Sequence, residues 1–329
     1  MEIPPEVLAA RELLEGPLLA TGVITGIDFG VRDEEQPDPD DLALRVFVAD
    51  LDDVPFEVQV ALAGFPFPVV FLQRVFVFTQ TTLPDTGIHR PLRGGYSIAA
   101  ARFQLTDADV HTGTLGAIVT DTLDPTITYG LSNYHVLCYD LGRRVGDEII
   151  QPEPEPFGRV QGDHAGTLSD WSFPEDTPEG PADAAIFRVD VGALPEIEGI
   201  GPVGGAIGVQ HAMLVTKRGK TTGRTFGWTS GVRGSYPINR PQLPPVGTPP
   251  STRRKLTDQI QIHVDFPHSI VWSESGDSGS VVIGDGNGVV GLHWASGFDP
   301  EEPGNPMRYG LATPAITVER VLGISFGAP

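Results

Sequence analysis

Short apolar runs, each cut off by Gly, Pro or Asp, recur through most of this chain, and that punctuation limits what it can become. With 40 Gly and 31 Pro scattered between them in 329 residues, the runs suit strands joined by turns better than long helices or a disordered chain. From about Gly113 they come roughly every 10 to 15 residues. The clearest strand candidates are Thr114 to Thr120, Ile127 to Leu131, Asp147 to Gln151, Ala184 to Val189, Met213 to Lys217, Gln259 to Val264, Ser278 to Ile283 and Gly288 to Trp294. Evenly spaced short strands predict a mainly β fold, a sandwich or barrels.

The first third reads differently. Pro5 to Leu14 has helical composition, with Val7, Leu8, Leu13 and Leu14 able to share one face. Leu19 to Val31 and Leu42 to Ala49 read as strands, and Val54 to Phe78 as further strand-like material. The linker Asp33 to Asp41 is acidic, but it lacks the turn glycine of a calcium loop and carries two prolines, so a solvated hairpin loop is expected. Residues 1–95 are therefore expected to form a small N-terminal α+β module. Further on, Gly234 to Thr257 is dense in Pro and Arg and reads as a projecting loop, and Thr313 to Leu322 as a C-terminal helix. No internal repeat of fixed period is visible.

Composition narrows the function. A formal net charge of -21 repels phosphate backbones, and the best basic run, Arg253, Arg254 and Lys255, is too short to offset it, so no nucleic-acid partner is expected. The single cysteine, Cys138, cannot form an intramolecular disulfide and points to a reducing compartment. Met1 to Gly16 lacks the basic start and unbroken apolar core of a signal peptide. No apolar stretch approaches the roughly 18 residues of a membrane span. A cytoplasmic, soluble protein with no membrane partner is the expectation; homo-oligomerisation stays open. No ligand spacing suggests a metal site, and no cofactor is implied.

The sharpest local signal is Gly276-Asp277-Ser278-Gly279, leading into Ser280-Val-Val-Ile283. A serine hydroxyl needs a nearby base and donors for the oxyanion that forms on attack. Flanking glycines let the turn aim the N–H groups of Gly276 and Ser278 at one point, although the same tetrapeptide could be a plain turn. His135, in Asn133-Tyr-His-Val-Leu137, stands at the end of an apolar strand and is the candidate base. His89, His111, His164, His211, His263 and His268 read as surface or loop residues. Asp183, opening Asp-Ala-Ala-Ile-Phe187, is the carboxylate best placed to orient an imidazole. Asp163 and Asp170 compete, but neither leads into a comparable buried strand. Cys138 reads as a small buried residue rather than a nucleophile.

The order His135, Asp183, Ser278, with the Gly-Asp-Ser-Gly run, resembles the chymotrypsin-like serine proteases. An α/β-hydrolase would instead show Gly-x-Ser-x-Gly and the order Ser, Asp, His. Gly113-Thr-Leu-Gly-Ala-Ile-Val119, Leu131-Ser-Asn-Tyr-His-Val-Leu137, Lys217-Arg-Gly-Lys-Thr-Thr-Gly223 and Gly276-Asp-Ser-Gly-Ser280 are similar to the bacterial and plant trypsin-like group that includes the plant NARROW LEAF protein. That resemblance implies two six-stranded antiparallel β-barrels behind the leading module: residues 96–195 with His135 and Asp183, and residues 196–329 with Ser278 and the C-terminal helix. It also implies that Asp277 occupies the position which, in secreted relatives, pairs with a new N-terminus after zymogen cleavage. Arg93-Gly-Gly-Tyr-Ser-Ile98 lacks the apolar pair that starts such a mature chain, so an internal partner for Asp277 is expected.

The resemblance places the primary specificity pocket between Trp272 to Ser275 and Gly291 to Ser296. Gly291-Leu-His-Trp294 resembles the matching run of glutamyl endopeptidases, which implies an acidic preference carried by His293 with the hydroxyls of Ser275 and Ser296. His293 as a packed strand residue is the other reading. A serine endopeptidase acting on protein or peptide substrates is thus the leading expectation. A protease-fold module that binds peptides or assembles with little catalytic activity is the alternative, and small-ester hydrolysis a side activity of the same residues.

Overall fold

The computed structural model describes residues 3–77, 87–102, 112–138, 142–154, 162–175, 177–238 and 254–327. Helix α1 (Pro5–Ala20), β1 (Ile24–Val31), β2 (Leu42–Val48), α2 (Phe56–Ala63), β3 (Val69–Gln73) and β4 (Val75–Val77) come first. Then follow β5 (Leu92–Gly94), β6 (Ser97–Ala100), β7 (Gly113–Thr114), β8 (Ala117–Asp121), β9 (Thr128–Ser132), α3 (Tyr134–Leu137), β10 (Glu148–Gln151), β11 (Asp163–Ser172), β12 (Glu179–Gly180) and β13 (Ala184–Val189). The remainder is β14 (Ala193–Ile197), β15 (Gly201–Pro202), β16 (Leu214–Gly219), β17 (Gly223–Pro237), β18 (Lys255–Val264), β19 (Val281–Ile283), β20 (Val289–Phe298), β21 (Tyr309–Pro314), α4 (Ala315–Leu322) and β22 (Ile324–Ser325).

Two barrel-like sheets organise the chain. In the second, the path β18-β21-β20-β19-β16-β17 closes on itself because β17 also pairs with β18, every pairing being antiparallel. Its interior holds Val215, Ile260, Ile262, Val264, Trp272, Val282 and Val290. The first follows the antiparallel path β8-β9-β13-β11-β10-β6, with the two-residue strands β22 and β7 at its ends. Leu115, Ile118, Tyr134, Leu137, Ile149, Leu168 and Phe187 fill it. A shared apolar layer joins the two: Val119, Leu131 and Ile186 from one side meet Val281, Ile283 and Leu292 from the other, closed by Val318 and Leu322 of α4. The expected C-terminal helix is this α4, and the short β22 after it returns to pair with β8.

The leading strands extend the second sheet. β1 pairs antiparallel with β17 on one side and β2 on the other, and β3 joins β2 in parallel. The seam is charged and buried. Arg45 holds both oxygens of Asp28 at 2.7 Å and bonds Glu34 at 2.9 Å and Gln261 at 2.8 Å. Arg74 reaches the other Glu34 oxygen at 2.8 Å. Glu34 is thus turned inward from a linker that is otherwise exposed up to Asp41, which pairs with Arg32 at the surface at 2.8 Å.

Several expectations are corrected. The helix at the start runs on to Ala20, so Leu19 is helical rather than the start of a strand. Pro17 lies inside this helix, and Leu18 and Leu19 after it are buried in the apolar cluster shared with β1 and β2. Phe56–Ala63 is helical, not strand-like: Val58 and Leu62, four apart, are its buried residues, and periodicity cannot arbitrate so short an apolar run. His263 is 8% exposed, inside β18 and stacked on Trp228 at 5.3 Å, not a surface residue. The ends of the expected loop from Gly234 to Thr257 are strand, and its middle, 239–253, lies outside the described residues, as do Phe78 and His111. Among the described residues no helix is long and apolar enough to cross a membrane, and no group of three or more potential metal ligands occurs.

Candidate active site

His135 and Asp183 are brought together by strand register. β13 pairs with β9, Ala185 facing Ser132, so the residues just outside the ladder, Asp183 and Asn133, also meet. Asn133 Nδ2 donates to the Asp183 carbonyl at 2.6 Å. The chain then enters the single turn of α3, and the Asp183 carboxylate accepts twice from His135: its backbone N–H at 3.0 Å and its Nδ1 at 2.6 Å. A carboxylate can only accept, so the ring proton sits on Nδ1 and Nε2 is left as the basic nitrogen. Asp183 is fully buried and His135 is 8% exposed. The competitors Asp163 and Asp170 lie exposed on β11.

Ser278 is placed by a tight turn between Trp272 and β19. Gly276 at φ 92° and Gly279 at φ 95° occupy the left-handed region, which a side chain would resist. Asp277 N–H donates to the Glu274 carbonyl, Gly279 N–H to His293 and Ser280 N–H to Asp277. Among the described residues no acceptor engages the N–H of Gly276 or Ser278. The turn is fastened to the first barrel through Thr114, whose N–H donates to the Ser278 carbonyl at 2.8 Å and whose Oγ1 donates to the Gly276 carbonyl at 2.8 Å. Ser132 Oγ in turn donates to the Thr114 carbonyl at 2.8 Å. A Cβ added to Gly113 would collide with Val136 and stand 2.6 Å from the Ser278 carbonyl. One glycine therefore separates the serine turn from α3 and His135. The Ser278 hydroxyl donates weakly to the Trp294 carbonyl at 3.4 Å.

Asp277 has the expected internal partner. Its Oδ2 accepts from Lys217 Nζ at 3.0 Å, Thr222 Oγ1 at 2.6 Å and Glu274 N–H at 3.1 Å, and its Oδ1 from Thr221 N–H at 3.0 Å and Thr222 N–H at 3.2 Å. Both charged groups are fully buried. Burial opposes ionisation of Asp277, but the Lys217 charge and the hydroxyl and N–H donors hold its carboxyl below the ordinary range. Burial pulls Lys217 down, with Asp277 opposing.

The pocket candidates Ser275, His293 and Ser296 are all buried. Ser275 is 4% exposed and its carbonyl accepts from Thr221 Oγ1 at 2.5 Å. Ser296 shares a 2.7 Å hydroxyl contact with Ser273. His293 is 1% exposed, edge-on to Trp272, and among the described residues its buried Nδ1 has no hydrogen-bond partner. Burial first, then the Lys217 charge, push its pKa down to about 3, so the free imidazole is neutral near pH 7. Cys138 is fully buried, and burial pushes its thiol up, away from thiolate chemistry.

No family model matches the sequence, and no curated protein matches it. Solved structures that resemble the chain include Thermobifida fusca protease A, 14% identical over 72% of this chain and 98% of that one with a TM-score of 0.47. Cellulomonas bogoriensis chymotrypsin is 17% identical over 72% and 98%, TM-score 0.46. A glutamic acid-specific serine protease that uses a histidine triad in substrate binding is 16% identical over 71% and 100%, TM-score 0.48. These neighbours are serine proteases, and at this identity the likeness concerns the fold alone.

Sequence reasoning passed over Lys217, Thr222, Asn133 and Thr114 as working residues. Lys217-Arg-Gly-Lys-Thr-Thr-Gly223 was legible as a motif, but only the β16–β17 hairpin, folded against the serine turn, reveals what it holds. Asn133 stands two residues before His135, a signal that could have drawn attention to it.

Proposed function

We propose that the chain is a serine peptidase in which His135, Asp183 and Ser278 act as a triad. The observation that carries this is the double grip of Asp183 on His135, through Nδ1 at 2.6 Å and the backbone N–H at 3.0 Å, beside a serine turn stapled to the same strand end. His135 Nε2 takes the Ser278 proton as Oγ bonds the substrate carbonyl carbon. It then gives that proton to the leaving amine as the peptide C–N bond breaks, and water reverses the sequence on the acyl-enzyme. The N–H groups of Gly276 and Ser278 stabilise the oxyanion. A fluorophosphonate probe labelling the wild type but not Ser278→Ala supports this; no labelling of correctly folded wild type refutes it and favours a peptide-binding or assembly module.

The finer reading, a preference for Glu at the cleaved position, is supported by the buried Nδ1 of His293, which has no hydrogen-bond partner among the described residues. A carboxylate arriving there binds with uptake of a proton, so selectivity for Glu over Gln grows as pH falls. Peptides with Glu reacting no faster than those with Leu or Phe, at pH 5 as at pH 8, would end this part of the proposal. Membership of the bacterial and plant trypsin-like group and a cytoplasmic setting belong to the same reading and rest on the sequence motifs and the lone cysteine.

A further inference from the structure

The two N–H groups assigned to the oxyanion belong to peptide units whose carbonyls are both held by hydroxyls. The Ser275 carbonyl accepts from Thr221 Oγ1 at 2.5 Å, and the Asp277 carbonyl accepts from Ser280 Oγ at 2.7 Å and Ser280 N–H at 3.0 Å. Neither peptide is cis, and in a trans peptide the C=O and the following N–H point in opposite directions. Fixing the Ser275 carbonyl therefore fixes the direction of the Gly276 N–H, and fixing the Asp277 carbonyl fixes that of the Ser278 N–H. The unit between them is pinned at both ends. Thr114 Oγ1 donates to the Gly276 carbonyl at 2.8 Å, and the Asp277 N–H donates to the Glu274 carbonyl at 3.1 Å.

The Ser275–Gly276 unit is the one that can turn over. Rotation needs ψ of Ser275 and φ of Gly276 to change together, and a glycine at φ 92° takes either sign with no Cβ to oppose it. The bonds of the pinned unit beside it involve other groups and would survive. Turned over, the Ser275 carbonyl would enter the oxyanion position and accept from the Ser278 N–H three residues on, the ordinary β-turn bond. That bond is not made, since among the described residues the Ser278 N–H has no acceptor. Thr221 opposes the turn-over from a backbone that is itself tied down. Its N–H donates to Asp277 Oδ1 at 3.0 Å, Lys220 N–H to Thr114 Oγ1 at 3.0 Å and Thr222 Oγ1 to Asp277 Oδ2 at 2.6 Å.

We propose that Thr221 is a positioning residue whose hydroxyl selects the open arrangement of the Ser275–Gly276 peptide, keeping the Gly276 N–H in the oxyanion site and the Ser275 carbonyl out of it. This rests on the triad reading and predicts an effect on the transition state rather than on binding. Saturation kinetics of fluorophosphonate labelling, on the full chain as wild type, Thr221→Val and Thr221→Ser, test it. Thr221→Val keeps the shape and the backbone N–H but loses the donor. Its limiting labelling rate should fall roughly tenfold to several hundredfold, the ceiling being the loss of one oxyanion donor, with the half-saturating concentration within about twofold of wild type. Thr221→Ser keeps the hydroxyl and should label within about threefold of wild type. A Thr221→Val limiting rate within about threefold of wild type overturns the proposal, as does a loss that Thr221→Ser shares or one carried by the half-saturating concentration alone. Labelling of the wild type in the same series shows that the triad reading stands whatever Thr221 does, and its absence overturns both. If Thr221→Val does not fold, Thr221→Ala is read by the same limits. Loss of folding in both would assign the hydroxyl to the fold rather than to the oxyanion site, and that too overturns the proposal.

Discussion

Lys217→Met tests whether an internal ion pair, rather than a freed amino terminus, holds the serine turn. Lys217 Nζ and Asp277 Oδ2 are 3.0 Å apart and neither side chain reaches solvent. Coulomb's law with an effective constant of about 20 gives roughly 5 kcal/mol at that distance, an upper range for the attraction. Removing one partner of a buried pair typically costs about 3 to 5 kcal/mol, because the other charge is stranded. Asp277 keeps four other donors after Lys217→Met, so about 3 kcal/mol is expected there. Asp277→Asn leaves the ammonium with Thr222 Oγ1 at 2.9 Å, so it should lie at the upper end. The double variant should cost clearly less than the two singles added, by about 2 kcal/mol, since neither charge is then stranded. Denaturant unfolding measures all three, and the labelling rate of Ser278 reports whether the turn still presents its hydroxyl. Additive costs, or a labelled chain whose sequence begins at Gly94, would refute the reasoning.

Asp183→Asn removes the acceptor that fixes the His135 tautomer, and should slow fluorophosphonate labelling by roughly 10⁴-fold with little change in thermal stability of the barrel. Gly219→Ala puts a Cβ into the Asp277 carboxylate; a loss of about 1 to 3 kcal/mol together with lost labelling is expected, and an unchanged melting temperature would contradict it. Burial works against ionising Glu34, but Arg74 and then Arg45 hold its pKa down to about 2. Because the folded value lies below the unfolded one, its stabilisation is complete above about pH 4.5 and disappears as pH falls toward 2. By linkage it amounts to about 3 kcal/mol, so Glu34→Gln should flatten the acid limb of a stability–pH curve.

Much of the architecture was legible because its signals are local. Turn residues between β-branched runs mark where strands stop, and the mainly β fold, the strands around Ala184 to Val189 and Gln259 to Val264 and the helix before Leu322 follow from them. The first third was less readable. Phe56–Ala63 has too few residues for its period to show, and Leu18 and Leu19 stay helical past Pro17, buried in the apolar cluster shared with β1 and β2. His263 reads as an ordinary polar residue until Trp228 stacks on it.

The candidate site divides along the same line. Sequence alone determined the chemical inventory: a serine between glycines, a histidine after a strand, a carboxylate before one, and a lone cysteine without a role. Tertiary structure alone decided the partners. The β9–β13 register sets Asp183 on His135, the β16–β17 hairpin delivers Lys217 to Asp277, and the leading strands lay Val77 beside Ser296. Each of these contacts joins residues dozens to hundreds of positions apart, and distances of that kind are set by strand pairing and burial, which no local pattern in the sequence encodes.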